Sequence, residues 1–218
     1  MKSCVLSSAL IVGAAALSVV PPAKAIVIGT LDTFQDLTTQ NWEGALPMNI
    51  ATGGPAGAGD AFLQVTSSGG SGPGSRLATD NAQPRWIGDY LAAGVTSLEA
   101  DFVNFGTVPL EMRVVLFNGP GVRYTSFRSV VVPGDGLWHH LSFSLDAASL
   151  VSVLGTATYA DCLANVDNLM FRHDSGDPSA GGTPIAAVAG IDNILAVPAP
   201  GAGLLLGIGA IFVGRRRR

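Results

Sequence analysis

The chain has very few cysteines and lysines, and both shortages limit its chemistry. Its 218 residues include 2 cysteines, Cys4 and Cys162, and its lysines are confined to Lys2 and Lys24. Cys4 belongs to an apolar N-terminal stretch, so Cys162 is the single thiol in the body of the chain. One thiol cannot form an intramolecular disulfide, and a lone cysteine is most often a small buried apolar side chain. We therefore predict a buried, unpaired Cys162.

The chain also lacks the motifs of common catalytic and nucleotide-binding sites. It contains no HExxH, no G-x-S-x-G, no Gly-rich phosphate loop and no Cys-His zinc spacing. His139 and His140 are adjacent, so in a strand they point to opposite faces and cannot bind one metal together. We expect no enzymatic activity; the alternative is a glycoside hydrolase-like activity using Glu99 with Glu111, or Asp101 with Glu111.

Residues 1–25 have the composition of a secretory signal peptide. Lys2 supplies a positive charge, and an apolar run follows from Val5 to Val20. Ala23 and Ala25 flank Lys24 in an A-x-A pattern, which predicts cleavage by signal peptidase after Ala25. The mature chain would then begin at Ile26.

A second unusual pattern occupies residues 197–218. It combines two prolines around one small residue, a 14-residue apolar run and four arginines: Pro198, Ala199, Pro200, residues 201–214, Arg215, Arg216, Arg217 and Arg218. As a helix the run would be about 21 Å long, shorter than the ~30 Å core of a bilayer. Flanking arginine side chains can extend its reach, and positive charge next to a membrane segment stays on the cytoplasmic side.

This arrangement resembles the PEP-CTERM sorting signal of exported bacterial proteins, with Ala199 where that signal usually has Glu. The resemblance implies transient insertion into the inner membrane and processing by an exosortase-like protease near Pro198 to Pro200. It also implies a secreted or cell-surface location in a Gram-negative-type bacterium, and an association with exopolysaccharide. A plain C-terminal membrane anchor is the alternative.

The segment between these two patterns is strongly acidic. Six of the 12 Lys and Arg residues lie in the two end segments, whereas all 16 acids lie between Asp32 and Asp192, so the formal charge of this segment is 6 − 16 = −10. Such a charge argues against binding to nucleic acid or to anionic lipid. It is compatible with divalent cations and neutral glycans.

Apolar residues in this segment alternate with polar ones, which is typical of half-buried strands. Ile26–Phe34 is predicted as the first strand, and Trp138–Leu145 alternates most clearly, although we expect Trp138 itself to pack in the core. Asp146 to Val153 is the one predicted helix, with Asp146 as its N-cap. With about nine to eleven short strands and glycine-rich turns, residues 26–196 are predicted to form an all-β fold, a single antiparallel β-sandwich of the jelly-roll type. The signal helix and the C-terminal hydrophobic helix lie outside it.

Several short stretches carry a second resemblance. They are Gly88-Asp89-Tyr90, Ala93-Gly94-Val95, Asp101, Leu110, Arg113, Trp138-His139-His140, Phe143, Leu145 and Ile191-Asp192-Asn193-Ile194. They look like the jelly-roll domains of other exported PEP-CTERM proteins and, more loosely, like carbohydrate-binding modules. The resemblance implies a structural calcium ion held by Asp192, with Asp32 and Asp60 as companions.

Two functional hypotheses follow for the exported domain. The first is a structural or exopolysaccharide-associated protein of the surface or matrix, which needs no cofactor. The alternative is a calcium-dependent carbohydrate-binding module, which requires exposed aromatic rings beside polar groups. Trp42, Trp86 and Tyr124 are the candidate glycan contacts, and packing in the core is the competing explanation for each ring.

Overall fold

The computed structural model describes residues 26–70 and 75–198. The predicted signal-peptide cleavage site at Ala23 and Ala25 lies outside these residues, as do Ala199, Pro200 and Arg215 to Arg218 of the sorting signal. Within the described part of the chain, no helix is both long and apolar enough to cross a bilayer.

The described residues form two antiparallel β-sheets and two short helices. The strands are β1 (Leu31–Asp32), β2 (Glu43–Gly44), β3 (Met48–Ile50), β4 (Phe62–Ser68), β5 (Ala78–Asn81), β6 (Val95–Asn104), β7 (Leu110–Phe117), β8 (Arg123–Ser126), β9 (Val130–Val132), β10 (Trp138–Ser144), β11 (Leu150–Leu154), β12 (Asn168–His173) and β13 (Ala186–Pro198). The helices are α1 (Tyr90–Ala93) and α2 (Tyr159–Leu163). The predicted all-β sandwich is confirmed.

The strands are divided between a sheet A and a sheet B. Sheet A has 6 strands in the order β10-β6-β13-β4-β3, with β1 paired to β13. Sheet B has 7 strands in the order β11-β8-β7-β12-β5-β2, with β9 paired to β7. Alternate residues of each sheet enter one shared core, as Leu98 and Phe102 do from β6, and Val114 and Leu116 from β7.

Strand β10 follows the predicted alternation. Leu141 and Phe143 are buried, whereas His140 and Ser142 are exposed. Trp138 shares the face of His140, so the expectation that it packs in the core is wrong. Its ring lies on the outer face of sheet A.

Two predicted elements differ from the structure. The first strand is limited to Leu31–Asp32, because the residues before it form a turn in which Thr30 N donates to Val27 O at 3.0 Å. The predicted helix at Asp146 is also wrong. The Asp146 carboxylate accepts hydrogen bonds from Ala148 N and Ser149 N, which closes a turn, and strand β11 follows.

Cys162 lies in α2 and is buried, as predicted. Burial raises the pKa of its thiol to about 11. The thiol therefore stays protonated at neutral pH and packs as an apolar side chain.

A β-bulge interrupts β13 beside β6. Asp192 pairs with Asp101 and Leu195 with Glu99, so β13 has one more residue than β6 over this interval. Asn193 adopts a left-handed conformation with φ of 51° at this point. Because of the bulge, Ile191 and Ile194 both enter the core while Asp192 is directed to the outer side of the sheet.

Candidate functional site

The outer face of sheet A carries an aromatic cluster formed by Phe62, Phe105 and Trp138. The Trp138 and Phe62 ring centroids lie 5.3 Å apart in an edge-to-face arrangement, and those of Phe62 and Phe105 lie 6.0 Å apart. The Trp138 indole N–H donates to the Gly53 carbonyl at 3.0 Å, which fixes the ring orientation. Phe105 is 49% exposed and Trp138 is half-buried, so both rings offer surface to a ligand.

A polar strip formed by Glu99, Asp101, His140 and Asn193 runs beside the aromatic cluster. His140 Nδ1 lies 2.9 Å from Asp101 Oδ1, and its Nε2 lies 3.5 Å from Glu99 Oε2. Asn193 Nδ2 donates to Asp101 Oδ2 at 2.7 Å. Strand pairing explains this convergence, because His140 is directly opposite Asp101 and Ser142 is opposite Glu99. The strip offers several hydrogen-bonding groups next to ring surfaces.

The aromatic cluster borders a recess at the end of sheet A. The recess has a volume of about 540 Å³ and is lined by Gln64, Phe105 and Val188, together with Ser67, Gly106, Ala186 and Ala187. Its walls combine one ring face, an amide side chain and small apolar groups. A ligand on the aromatic cluster can therefore continue into this recess.

Asp192 is buried close to the aromatic cluster and has an unsatisfied oxygen. Its Oδ1 accepts from Asn193 N at 2.8 Å, whereas its Oδ2 has no hydrogen-bond partner. Burial raises the pKa of Asp192 to about 7, and the negative charges of Asp60 and Asp101 contribute to the increase. The carboxyl group is thus held near its titration point at neutral pH.

Asp60 is near enough to Asp192 to raise its pKa, and it lies in the loop that supports Trp138. Its carboxylate accepts from Gln35 Nε2 at 2.6 Å and from Ala56 N at 2.7 Å, and its carbonyl accepts from Gly54 N at 2.9 Å. Among the residues that the structure describes, no group of three or more His, Cys, Asp or Glu side chains is arranged for a metal ion. An ion between Asp60 and Asp192 would therefore need carbonyl oxygens as additional ligands.

Asp32 does not belong with these two acids. It is fully buried, and its Oδ2 accepts hydrogen bonds of 2.8 Å from the indoles of both Trp42 and Trp86. The Arg85 guanidinium forms an ion pair with its other oxygen. Because these partners occupy the Asp32 carboxylate, its predicted role as a calcium ligand is corrected to that of a core acceptor.

The three rings predicted as glycan contacts are also in the interior. Trp42 and Trp86 are fully buried with centroids 6.0 Å apart, and Trp42 stacks against Phe171. Tyr124 is 8% exposed, and its hydroxyl donates to Ala157 O at 2.9 Å. None of these three rings has a free face, so the prediction is wrong for all of them. Trp138, whose polar neighbours on β10 indicate the outer face, is the tryptophan with an accessible ring.

Part of the outer face of sheet B is covered by the segment of residues 174–183, here called the covering loop. Arg113 donates to Gly176 O, Arg123 to Ala180 O at 2.6 Å, and Arg172 to Ser179 O and Ala180 O. Arg172 also forms an ion pair with Asp174 at 3.0 Å. All three arginines therefore donate hydrogen bonds to carbonyl groups of the covering loop.

The predicted hydrolase-like acid pairs do not converge. Glu99 and Asp101 lie on β6 in sheet A, whereas Glu111 lies on β7 in sheet B, where it accepts from Ser129 Oγ at 2.9 Å. The three carboxylates project from opposite outer faces of the sandwich. Neither pair can therefore flank one glycosidic bond.

No protein-family model matches the chain, and no curated protein matches it. Solved structures share its fold. One is a family 11 carbohydrate-binding module from Clostridium thermocellum in complex with a β-1,3-1,4-mixed-linked tetrasaccharide, with a TM-score of 0.51 and 18% identity over 80% of this chain and 98% of the module. A second structure of the family 11 module, from a cellulosomal cellulase, has a TM-score of 0.52 and 16% identity over 80% of this chain and 97% of the module.

An exo-β-agarase is also similar, with a TM-score of 0.57 and 15% identity over 79% of this chain and 25% of the agarase. The chain thus spans about a quarter of that enzyme's length. At these identities the likeness establishes the fold alone. The chain has the β-sandwich fold of carbohydrate-binding modules.

Proposed function

We propose that this protein binds polysaccharide without cleaving it, through the outer face of sheet A. The observation that supports the proposal best is the position of two solvent-accessible rings, Phe105 and Trp138, beside the polar strip. Sugar rings stack on aromatic faces through their C–H groups, while their hydroxyls exchange hydrogen bonds with carboxylate, imidazole and amide groups. The tetrasaccharide complex of the family 11 module is consistent with this use of the fold.

The charge of the strip favours a neutral polysaccharide. Glu99 and Asp101 both contact His140, and no lysine or arginine contact to either carboxylate occurs in the described part of the chain. Carboxylates accept hydrogen bonds from neutral sugar hydroxyls but repel uronate or sulfate groups. We therefore assign neutral glycans, and not acidic ones, as the ligand class.

We also propose a structural calcium ion at Asp192 and Asp60. The unpartnered, buried Asp192 Oδ2 and the nearby Asp60 carboxylate fit the preference of calcium for oxygen ligands. The same loop supplies the Gly53 carbonyl that accepts from Trp138. Calcium at this position would hold the loop, and with it the ring, in the binding orientation.

The two end segments support a proposed export route. Signal peptidase would cut after Ala25, and an exosortase-like protease would process the tail near Pro198 to Pro200. The product would be a surface or matrix protein associated with exopolysaccharide. The mass of the mature protein from its native host tests this route, because retention of Arg218 would contradict it.

Replacement of Trp138 tests the binding proposal. Trp138→Ala removes the ring but leaves the polar strip, so we expect the affinity for a neutral β-glucan to fall about tenfold or more, since one lost stacking contact corresponds to roughly 1.4 kcal/mol. Affinity electrophoresis in β-glucan gels measures the change.

Phe127→Ala is the matched control, because Phe127 is an exposed aromatic residue that lies between β8 and β9, outside the aromatic cluster and the polar strip. It should bind as the wild type does. Equal affinities of wild type and Trp138→Ala, or an equal loss in both variants, would contradict the proposed site.

A further inference from the structure

Both ends of the described domain meet at one end of the sandwich. Gly29 N donates to Ala196 O at 2.9 Å, and Ala196 N donates to Thr30 O at 3.0 Å. At the same end, Pro198 is paired with Val95, the first residue of β6. Helix α1 leads directly into β6 through Gly94, so it lies at this end as well. We call this region the tail end of the domain.

The tail end carries an apolar patch formed by Val27, Ile28, Leu31 and Leu91, all of them exposed. Val27, at 65% exposed, is the most exposed of the four. Ile28 Cδ1 lies beside Gly94, whose N–H donates to Leu91 O at 3.0 Å, so Ile28 and Leu91 flank the same turn. Leu31 continues the patch along β1, opposite Leu195.

The apolar run of the tail begins close to the end of the described domain. Only Ala199 and Pro200 separate Pro198 from the apolar run that begins at Gly201. Three residue steps of extended chain cover about 10 Å. When the run is in a bilayer, which is part of the proposed function, the tail end must face that bilayer at close range. The gap is too narrow for a protein partner.

The charges around the patch also fit a lipid surface. Arg85, which is exposed, donates to Leu31 O at 2.7 Å at the edge of the patch, and its charge is balanced by the buried Asp32. The nearest acid of α1, Asp89, accepts from Ala92 N at 2.8 Å as the helix N-cap. Exposed apolar side chains beside a balanced ion pair suit the boundary between headgroups and acyl chains.

We propose that Val27, Ile28, Leu31 and Leu91 form a lipid-facing surface that seats the domain on the bilayer while the tail is inserted. Burial of these side chains in the interface fixes the tilt of the sandwich. The outer face of sheet A is then held at the side of the domain, where it is accessible to polysaccharide. Processing of the tail releases this contact together with the anchor.

Site-specific labelling of the full chain tests the lipid contact. In a Cys4→Ser background, Leu91→Cys and Val108→Cys each receive an environment-sensitive fluorophore; the native Cys162 is buried. Val108 is the matched control, because it is also exposed and lies beyond the far end of β6, about 30 Å from Val95. The labelled chains are reconstituted into zwitterionic phosphatidylcholine vesicles that contain a quencher lipid.

We expect quenching at Leu91→Cys to be at least threefold stronger than at Val108→Cys. Equal or absent quenching at Leu91→Cys in chains that float with the vesicles would overturn the lipid-facing surface but leave the anchoring tail intact. Chains that do not float would refute the anchoring role of the tail and the inference with it. Energy transfer between labelled copies without lipid quenching would assign the patch to a second copy, and would also overturn the proposal.

Discussion

At the residue scale, Asp192 is a buried acid whose pKa is raised to about 7. The folded chain retains its proton up to about pH 7, because burial raises its pKa, whereas the usual value for Asp is 3.8. The folded state therefore binds this proton more tightly than the unfolded state. Without metal, the contribution of Asp192 to stability decreases as pH rises from about 4 to about 7 and is constant above that range.

We therefore expect the stability of Asp192→Asn to depend on pH differently from that of the wild type. In EDTA, the melting temperature of the wild type minus that of the variant should decrease between pH 5 and pH 7.5, because only the wild type must bury a charge at the higher pH. Calcium at pH 7.5 should raise the melting temperature of the wild type and leave the variant unchanged. If the difference in melting temperature between wild type and variant is the same at both pH values and calcium does not change it, neither the raised pKa of Asp192 nor the calcium site is correct.

The exposure of the three tryptophans could be predicted from the sequence for one of them only. Trp42 and Trp86 are candidate glycan contacts by residue type, but in the structure their indoles donate to the buried Asp32. A buried hydrogen-bonding partner far along the chain cannot be read from neighbouring residues. The sequence does indicate the position of Trp138, because alternate residues of a strand lie on one face and Trp138 alternates with the polar residues His140 and Ser142.

At the scale of elements, the covering loop is held by one carboxylate. Asp174 is fully buried and accepts from Arg172 Nη2, Ser179 N and Ser179 Oγ, all within 3.0 Å. Arg113 lies 3.9 Å away and donates to the Asp174 carbonyl. Asp174 is therefore the carboxylate that lies within ion-pair distance of the guanidinium groups of both Arg113 and Arg172.

Asp174→Asn should destabilise the protein by about 3 kcal/mol, because removing one partner of a buried ion pair leaves the arginines without a compensating charge. Urea denaturation measures the loss. The exposed Asp177 lies in the same loop, so Asp177→Asn is the control and should change stability by less than about 0.5 kcal/mol. Similar values for the two variants would show that the charge of Asp174 does not hold the loop.

Long strands could be predicted from the sequence, whereas short ones could not. Strand β10 has 7 residues with clear alternation, and its observed bounds, Trp138–Ser144, are close to the predicted Trp138–Leu145. Strand β11 has 5 residues and follows an Asp that is equally suited to cap a helix or a turn. Its pairing with β8, a contact distant in sequence, selects the strand.

At the scale of the whole molecule, the outer faces of the two sheets differ. The covering loop lies over Arg113, Arg123 and Arg172 on the outer face of sheet B, whereas the outer face of sheet A presents rings, carboxylates and His140. The tail end directs a third surface toward the membrane in the proposed orientation. The strand pattern of the sequence predicted the sandwich. It could not predict which outer surface stays accessible to solvent, because that depends on contacts between segments that are distant in the sequence.

The most direct test of the binding account uses the three tryptophan indole N–H signals in an NMR titration of the protein with neutral β-glucan oligosaccharides. Trp42 and Trp86 donate to the buried Asp32, and Trp138 donates to Gly53 O beside the open face. If glycan binds to the outer face of sheet A, the Trp138 signal should shift in a saturable way. The signals of Trp42 and Trp86 should shift by only a small fraction of that amount. A Trp138 signal that does not move with any neutral oligosaccharide, or equal shifts at all three indoles, would contradict it.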